Sequence, residues 1–159
     1  MKSPTLSINK GFTLLEMLVV LAIFLTIVGL VFDSSFDNFE KSSVDTEADT
    51  LMSLLQHARA EAMSNICRDI SCTVGSFHGI LIINNSFIVF EGTDFKSSNR
   101  AFDQVTPRNS AFVSSGVSEI SFENLSGNTI NYGNIILENK SGQKIIVSVG
   151  QEGQISWQN

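Results

Sequence analysis

The sequence has few of the residues that build metal or redox centres. Its 159 residues include two cysteines, Cys67 and Cys72, separated by four residues, and two histidines. No histidine lies near the cysteines to complete a zinc site. His57 falls in a helical pattern without a further ligand at suitable spacing, and His78 begins a strand pattern without a nearby serine or cysteine nucleophile. The sequence therefore predicts no metal, no cofactor, no catalytic residue and no enzyme.

Positive charge is also scarce. Ten lysines and arginines face sixteen acids, and the net charge is −6, so no general basic field would attract nucleic acid. Three glycines near the middle of the chain, Gly75, Gly79 and Gly92, lack the spacing of a phosphate-binding loop. The only prolines are Pro4 and Pro107, so a helix between them would meet no stronger interruption than Gly29.

One long apolar run is present, and it contains a carboxylate. Residues 12–32 are uncharged except for Glu16. About 20 apolar residues suffice to span a bilayer, and an ionised side chain there costs about 2.5–3.5 kcal/mol unless it has a partner. Lys2 and Lys10 precede the run and acids follow it, which predicts a cytoplasmic N-terminus and an external remainder.

Three interpretations of this segment compete. A secretory signal peptide has a shorter apolar core and a small-residue cleavage site, which residues 29–33 do not offer. A plain signal anchor explains the length and the flanking charges, but it explains neither Glu16 nor the glycine at the junction. The third interpretation explains both. Lys10-Gly11 followed by Phe12-Thr13-Leu14-Leu15-Glu16-Met17-Leu18 resembles the class III signal of type IV prepilins and pseudopilins.

The resemblance implies specific roles for three residues. A prepilin peptidase would cleave after Gly11 and methylate the new amine of Phe12. Glu16 would be the fifth residue of the mature chain and the assembly glutamate of the family. A neighbouring subunit's N-terminal amine can neutralise it, because a lone carboxylate in a bilayer needs a partner. Other pilins, the prepilin peptidase and the bacterial inner membrane are the partners that the resemblance implies.

After residue 32 the pattern stays helical. Apolar residues advance by alternating steps of four and three and form one stripe, which consists of Val44, Ala48, Leu51, Leu55, Ala58, Ala62 and Ile66. We therefore expect a helix from Phe12 to Ile66. The predicted division is a leader at 1–11, a transmembrane and filament-core helix at 12–33, an amphipathic continuation at 34–66 and a β-rich periplasmic domain at 67–159.

The remainder has the period of strands. The predicted strands are Gly79–Ile83, Phe87–Phe90, Val117–Glu123, Asn134–Glu138, Lys144–Val149 and Gln154–Trp157. Residues 91–110 are polar and predict a long functional or mobile loop. The fold class is thus α+β, with a long N-terminal helix packed on a small antiparallel β-sheet domain. In the periplasm, Cys67 and Cys72 would form a local disulfide closing the helix end or remain two free thiols.

Within the pilin-like families the layout most resembles the GspH/FimT branch of minor pseudopilins, with an alanine-rich outer helix and a short last strand. This implies an assembly subunit of a type II secretion pseudopilus, serving protein transport, or of a type IV pilus. An alternative is a FimT-like minor pilin that binds DNA during uptake. Its candidate contacts are the bases of the long loop and of the C-terminal turn: Lys96, Arg100, Arg108, Lys140 and Lys144. Acids adjoin the C-terminal pair, so the sequence favours the assembly role.

Overall fold

The computed structural model describes residues 11–68 and 75–158, with the backbone alone for residues 31–42. The chain divides into two compact units, Met1–Glu40 and Lys41–Asn159. The α-helix α1 begins at Leu14 in the first unit and ends at Met63 in the second. The predicted helix is therefore confirmed within three residues at each end.

The buried stripe of α1 is confirmed at six of its seven positions. Val44, Ala48, Leu51, Leu55, Ala58 and Ala62 are all at most 2% exposed. The seventh position is wrong, because Ile66 follows the end of the helix and is 41% exposed. Asn65, at a φ of 54°, takes the left-handed conformation that commonly closes helices. Its backbone N–H donates to the Ala62 carbonyl, and the helical period therefore stops before Ile66.

In residues 75–158 eight strands form two antiparallel four-stranded sheets. The first sheet has the order β3-β2-β1-β5, and the second has the order β4-β6-β7-β8. The strands of the first sheet are β1 (His78–Ile83), β2 (Ser86–Glu91), β3 (Gln104–Pro107) and β5 (Glu119–Phe122). Those of the second are β4 (Val113–Gly116), β6 (Gly133–Glu138), β7 (Lys144–Val149) and β8 (Ile155–Gln158). The α+β class, with a helix packed on antiparallel sheet, is confirmed.

The core of the second unit lies between the helix stripe and both sheets. Alternate strand residues bury their side chains against the stripe, because successive residues of a strand point to opposite faces. From the first sheet these include Ile80, Phe87, Val89, Ile120 and Phe122. From the second they include Ile135, Leu137, Ile145, Val147 and Val149.

The segment predicted as a long loop has more structure than its composition indicates. A 3-10 helix spans Arg100–Phe102, and β3 follows it. Before them, the Asp94 carboxylate accepts hydrogen bonds from the Ser97 backbone N–H (2.9 Å) and hydroxyl (2.7 Å). The sequence pattern did not indicate β3, because the strand ends at Pro107 and proline weakens the signal of a strand. Within sheets, proline is confined to edge strands and strand ends. β3 is an edge strand of its sheet.

Candidate functional site

The N-terminal segment exposes the predicted cleavage position ahead of a capped helix. Gly11, Phe12 and Thr13 precede α1 and lie outside regular structure. Phe12 is 78% exposed, and among the described residues beyond its chain neighbours no heavy atom lies within 4 Å of where a Cβ on Gly11 would be. Phe12 and the position of Gly11 are therefore exposed with respect to the described residues.

Thr13 caps α1 and fixes the position of Glu16 on its first turn. The Thr13 hydroxyl oxygen accepts a hydrogen bond from the Glu16 backbone N–H at 3.2 Å. With α1 beginning at Leu14, this is the threonine half of a capping box, in which a glutamate stands three residues after the cap. A carboxylate in the first turn also interacts favourably with the helix dipole. The sequence analysis missed this role of Thr13, although the pattern Thr13-Leu14-Leu15-Glu16 carries its signal.

Around Glu16 the first unit presents an apolar surface. Thirteen large apolar side chains between Phe12 and Leu30 are 47% to 84% exposed. Soluble monomers rarely expose contiguous apolar patches of more than a few hundred Å², so such a surface marks an interaction site. Among the residues that the structure describes, no helix has both the length and the hydropathy of a membrane span. The predicted span at 12–33 thus stays a prediction.

In the second unit Arg108 forms a buried ion pair with α1. Its Nε donates to Glu47 Oε1 at 2.7 Å, and its side chain is fully buried. Nη1 donates to the Ser114 hydroxyl (3.0 Å) and to the Ile83 carbonyl (3.3 Å), and the guanidinium carbon lies 5.3 Å from the Phe87 ring centroid. Arg108 therefore joins the helix to both sheets. Arg108 is one of the predicted candidate DNA contacts, but its guanidinium does not face solvent.

A second buried carboxylate, Glu61, lies near the end of α1. The Arg68 guanidinium donates to Glu61 Oε1, and the imidazole Nε2 of His57 lies 3.4 Å from the same oxygen. His78 is fully buried, with its Nε2 at 3.9 Å from Glu61 Oε2. The Arg68 backbone N–H donates to both oxygens of Glu91, at 3.0 and 3.2 Å. The residues that follow α1 are thus tied to the helix and to β2.

Within this cluster, the charged form of His78 is disfavoured by burial. Burial lowers the pKa of His78 from 6.5, and the Glu61 and Glu91 carboxylates oppose that shift only in part. The Nδ1 atom lies 3.1 Å from the Ser76 carbonyl oxygen. Within the residues described, no group of histidine, cysteine and acid side chains could hold a metal ion. The arrangement is suited to fixing the end of α1.

Sequence reasoning missed Glu47 and Glu61, although the signal was present. Each stands three residues after a member of the buried stripe, Val44 and Ala58 respectively, and so lies beside the stripe on the helix surface. Glu47 is 8% exposed and Glu61 is 5% exposed. Acids in such positions require buried partners, but the sequence does not show that these partners are Arg108 and Arg68.

The other four candidate DNA-contacting cations are exposed, and two of them contact a neighbouring side chain. Lys144 Nζ lies 3.2 Å from Glu138 Oε2, in an exposed pair between β7 and β6. The Arg100 guanidinium lies over the Phe95 ring, 3.7 Å from its centroid. Lys96 and Lys140 are exposed as well. Lys96 and Arg100 belong to the long segment after β2, whereas Lys140 and Lys144 flank the turn before β7.

Cys67 is disulfide-bonded. Its predicted partner, Cys72, lies outside the described residues, and the pairing stays a prediction. Cys67 directly precedes Arg68, so the bond lies next to the ionic cluster at the end of α1.

Comparison with known proteins identifies the N-terminal segment. Residues 6–32 match the family model described as the prokaryotic N-terminal methylation motif. The chain carries a prepilin-type N-terminus. The match includes Gly11, Phe12 and Glu16, and the motif is that of type IV pilin-like structural subunits, so it supports a pilin-like chain. No curated protein and no solved structure matches the chain.

Proposed function

We propose that this chain is a minor pseudopilin of the GspH/FimT type, an assembly subunit of a type II secretion pseudopilus or a type IV pilus. The carrying observation is the methylation motif at residues 6–32, with Glu16 exposed in the first turn of α1. The exposed apolar surface of the first unit supports the proposal, because a filament core or a bilayer would cover it.

Processing would begin at the Gly11–Phe12 peptide. A prepilin peptidase would cleave this exposed bond on the cytoplasmic face and methylate the Phe12 amine. Cleavage would remove Lys2 and Lys10, leaving an apolar helix whose first charged side chain is Glu16. Thr13 remains in the mature chain and can still cap the helix.

Glu16 would then set the position of the subunit in the filament. An ionised carboxylate among lipid or apolar side chains is unfavourable unless an opposite charge neutralises it. The free N-terminal amine of a neighbouring subunit is a cation of the required kind at the required depth. Pairing of the two would fix the axial offset between subunits, while apolar packing supplies most of the association energy.

The second unit would face the periplasm in a single-pass inner-membrane protein with a cytoplasmic N-terminus. The disulfide at Cys67 supports an oxidising compartment, since such bonds are rare in the cytosol. The DNA-uptake alternative has less support. One of its five candidate contacts, Arg108, is buried against Glu47, and another, Lys144, pairs with Glu138.

The test replaces Glu16 with alanine in cells that assemble the filament. We expect Glu16→Ala to reach the inner membrane and to be cleaved, yet to be lost from sheared filaments. Asp49→Ala, which removes an exposed acid from the outer part of the same helix, should assemble normally. Incorporation of Glu16→Ala at the level of the unaltered chain would contradict the assigned role.

A further inference from the structure

The last strand of the second sheet has a free edge that differs from the other sheet edges. In the described residues β3, β4, β5 and β8 are the four edge strands, and each has four residues. Edge strands usually carry a charge, a proline or a distortion that prevents pairing with another chain. β3 contains Pro107, β5 contains Glu119, and β4 ends at Gly116 with a φ of 92°. β8, with the sequence Ile-Ser-Trp-Gln, has none of these.

The helix-facing side of β8 is apolar and incompletely covered. Ile155 and Trp157 pair with Val149 and Val147 of β7, both of which are buried on the core face. Directly opposed residues share a face, so Ile155 and Trp157 point to the helix side as well. Trp157 is nevertheless 40% exposed. An open groove of about 250 Å³ lies beside Ile155 and is lined on the helix by Gln56, Arg59, Ala60 and Met63.

Arg59 holds β8 in place without filling this groove. Its Nη2 donates to the Glu152 carbonyl at 3.1 Å, and its Nε donates to the Gly127 carbonyl at 3.4 Å. Gly153, at a φ of 72°, lies against Gly127, and a Cβ there would collide with the Gly127 carbonyl. The turn before β8 is therefore fixed to α1, so little ordering would be needed when another strand pairs with the edge.

We propose that β8 pairs antiparallel with β8 of a second copy of this chain, joining the two second sheets across their edges. A register centred on Ser156 places Ile155 opposite Trp157 of the second copy, and Trp157 opposite its Ile155. All four side chains then lie on the groove side. Aromatic and β-branched residues are favourable cross-strand neighbours. Ser156 faces its own equivalent on the outer side.

The lack of charge on β8 is compatible with a second copy as its partner, and the small area of the strand pair determines how strong the dimer should be. The chain has a net charge of −6, yet β8 contains no acid, so two copies can meet there without local repulsion. Its uncharged side chains also offer no charge pattern that would select a different, charged strand. A four-residue strand pair with two partly buried tryptophans buries less than a standard interface of about 1,600 Å². The dimer should therefore be weak and reversible.

Cysteine cross-linking of the full chain in detergent tests the pairing and its register. Opposed residues of antiparallel strands have Cα atoms about 4.5–5.5 Å apart, which is within the range that a disulfide spans. Ser156→Cys should thus form a cross-linked dimer under mild oxidation. The matched control is Ser115→Cys, an exposed serine on the other edge strand of the same sheet, and it should form several-fold less dimer. Equal yields from the two variants would overturn the proposal.

Trp157 provides a second readout that needs no introduced thiol. It is the only tryptophan of the chain, and its emission should shift to shorter wavelength as the protein concentration rises. Ser156→Lys should weaken this association by about fivefold, because like charges directly opposite destabilise a strand pair. Mixing Ser156→Lys with Ser156→Asp should restore it. Emission that is independent of concentration would overturn the proposal. Neither assay uses another subunit, so the result does not depend on the proposed filament role.

Discussion

Two buried carboxylates on α1, Glu47 and Glu61, determine how the outer part of the helix is fixed within the second unit. Each accepts a hydrogen bond from an arginine that follows it in the chain, Arg108 and Arg68 respectively. Several polar atoms of these groups, among them Arg108 Nη2 and Glu61 Oε2, have no hydrogen-bond partner in the described part of the chain. Removing one member of such a pair leaves the other charge buried and unpaired.

We expect Glu47→Ala to destabilise the second unit by about 3–5 kcal/mol, because it leaves the Arg108 guanidinium buried without its counter-charge. Chemical denaturation of the full chain in detergent measures the loss. The matched control is Glu138→Ala, which breaks the exposed pair with Lys144 and should cost about 0–1 kcal/mol. Similar losses of unfolding free energy for the two variants would show that the buried pair stabilises the second unit no more than the exposed pair does.

Stability should fall as the solution is acidified, through His78. Burial lowers the pKa of His78 below 6.5, so the unfolded chain takes up a proton at a higher pH than the folded chain. The His78 contribution is therefore complete above pH 6.5 and is lost as the pH falls through 6.5 towards the folded-state pKa. His78→Gln should flatten the dependence of the unfolding free energy on pH in this range.

Ser53→Ala is the control for that measurement, since it changes an exposed side chain of α1 that does not titrate. It should keep the pH dependence of the unaltered chain. An unchanged pH profile in His78→Gln would contradict the assignment.

Among the elements, regular patterns were predictable from sequence and irregular ones were not. The helix stripe and β7 follow clear periods of burial, and β7 was predicted with its observed bounds. β3 contains a proline, and β4 ends in a glycine, so their sequences Gln-Val-Thr-Pro and Val-Ser-Ser-Gly lack the usual strand signal. Tertiary pairing with β2 and β6 forms these two strands in spite of weak local preference.

The residues that follow α1 should be held in place in part by the disulfide at Cys67. We expect non-reducing mass spectrometry of peptides from the oxidised protein to show Cys67 joined to Cys72 within one chain. Reduction of the disulfide should increase the rate of proteolysis after Met63. The reason is that Cys67 directly precedes Arg68, whose backbone N–H donates to Glu91. Two free thiols in protein isolated from the periplasm would contradict the predicted bond.

At the scale of the whole molecule, the two units differ in the exposure of their apolar side chains. The second unit buries its apolar stripe in its own core, whereas the first exposes apolar side chains from Phe12 to Leu30. The motif around Gly11 and Glu16 was readable from sequence because its residues are contiguous in the chain. Under the proposed function, the choice of filament would depend on the surfaces of other subunits, which a motif at residues 6–32 does not encode.

The N-terminus of the mature protein tests the proposed function most directly. The chain should be produced together with a prepilin peptidase, isolated from membranes and measured by mass spectrometry. The proposed function predicts a chain that begins at Phe12 and carries one added methyl group on its amine. Replacement of Gly11 by a bulky residue should leave the full-length chain. A mature protein that retains residues 1–11, or is cut at another bond, would contradict the proposed function.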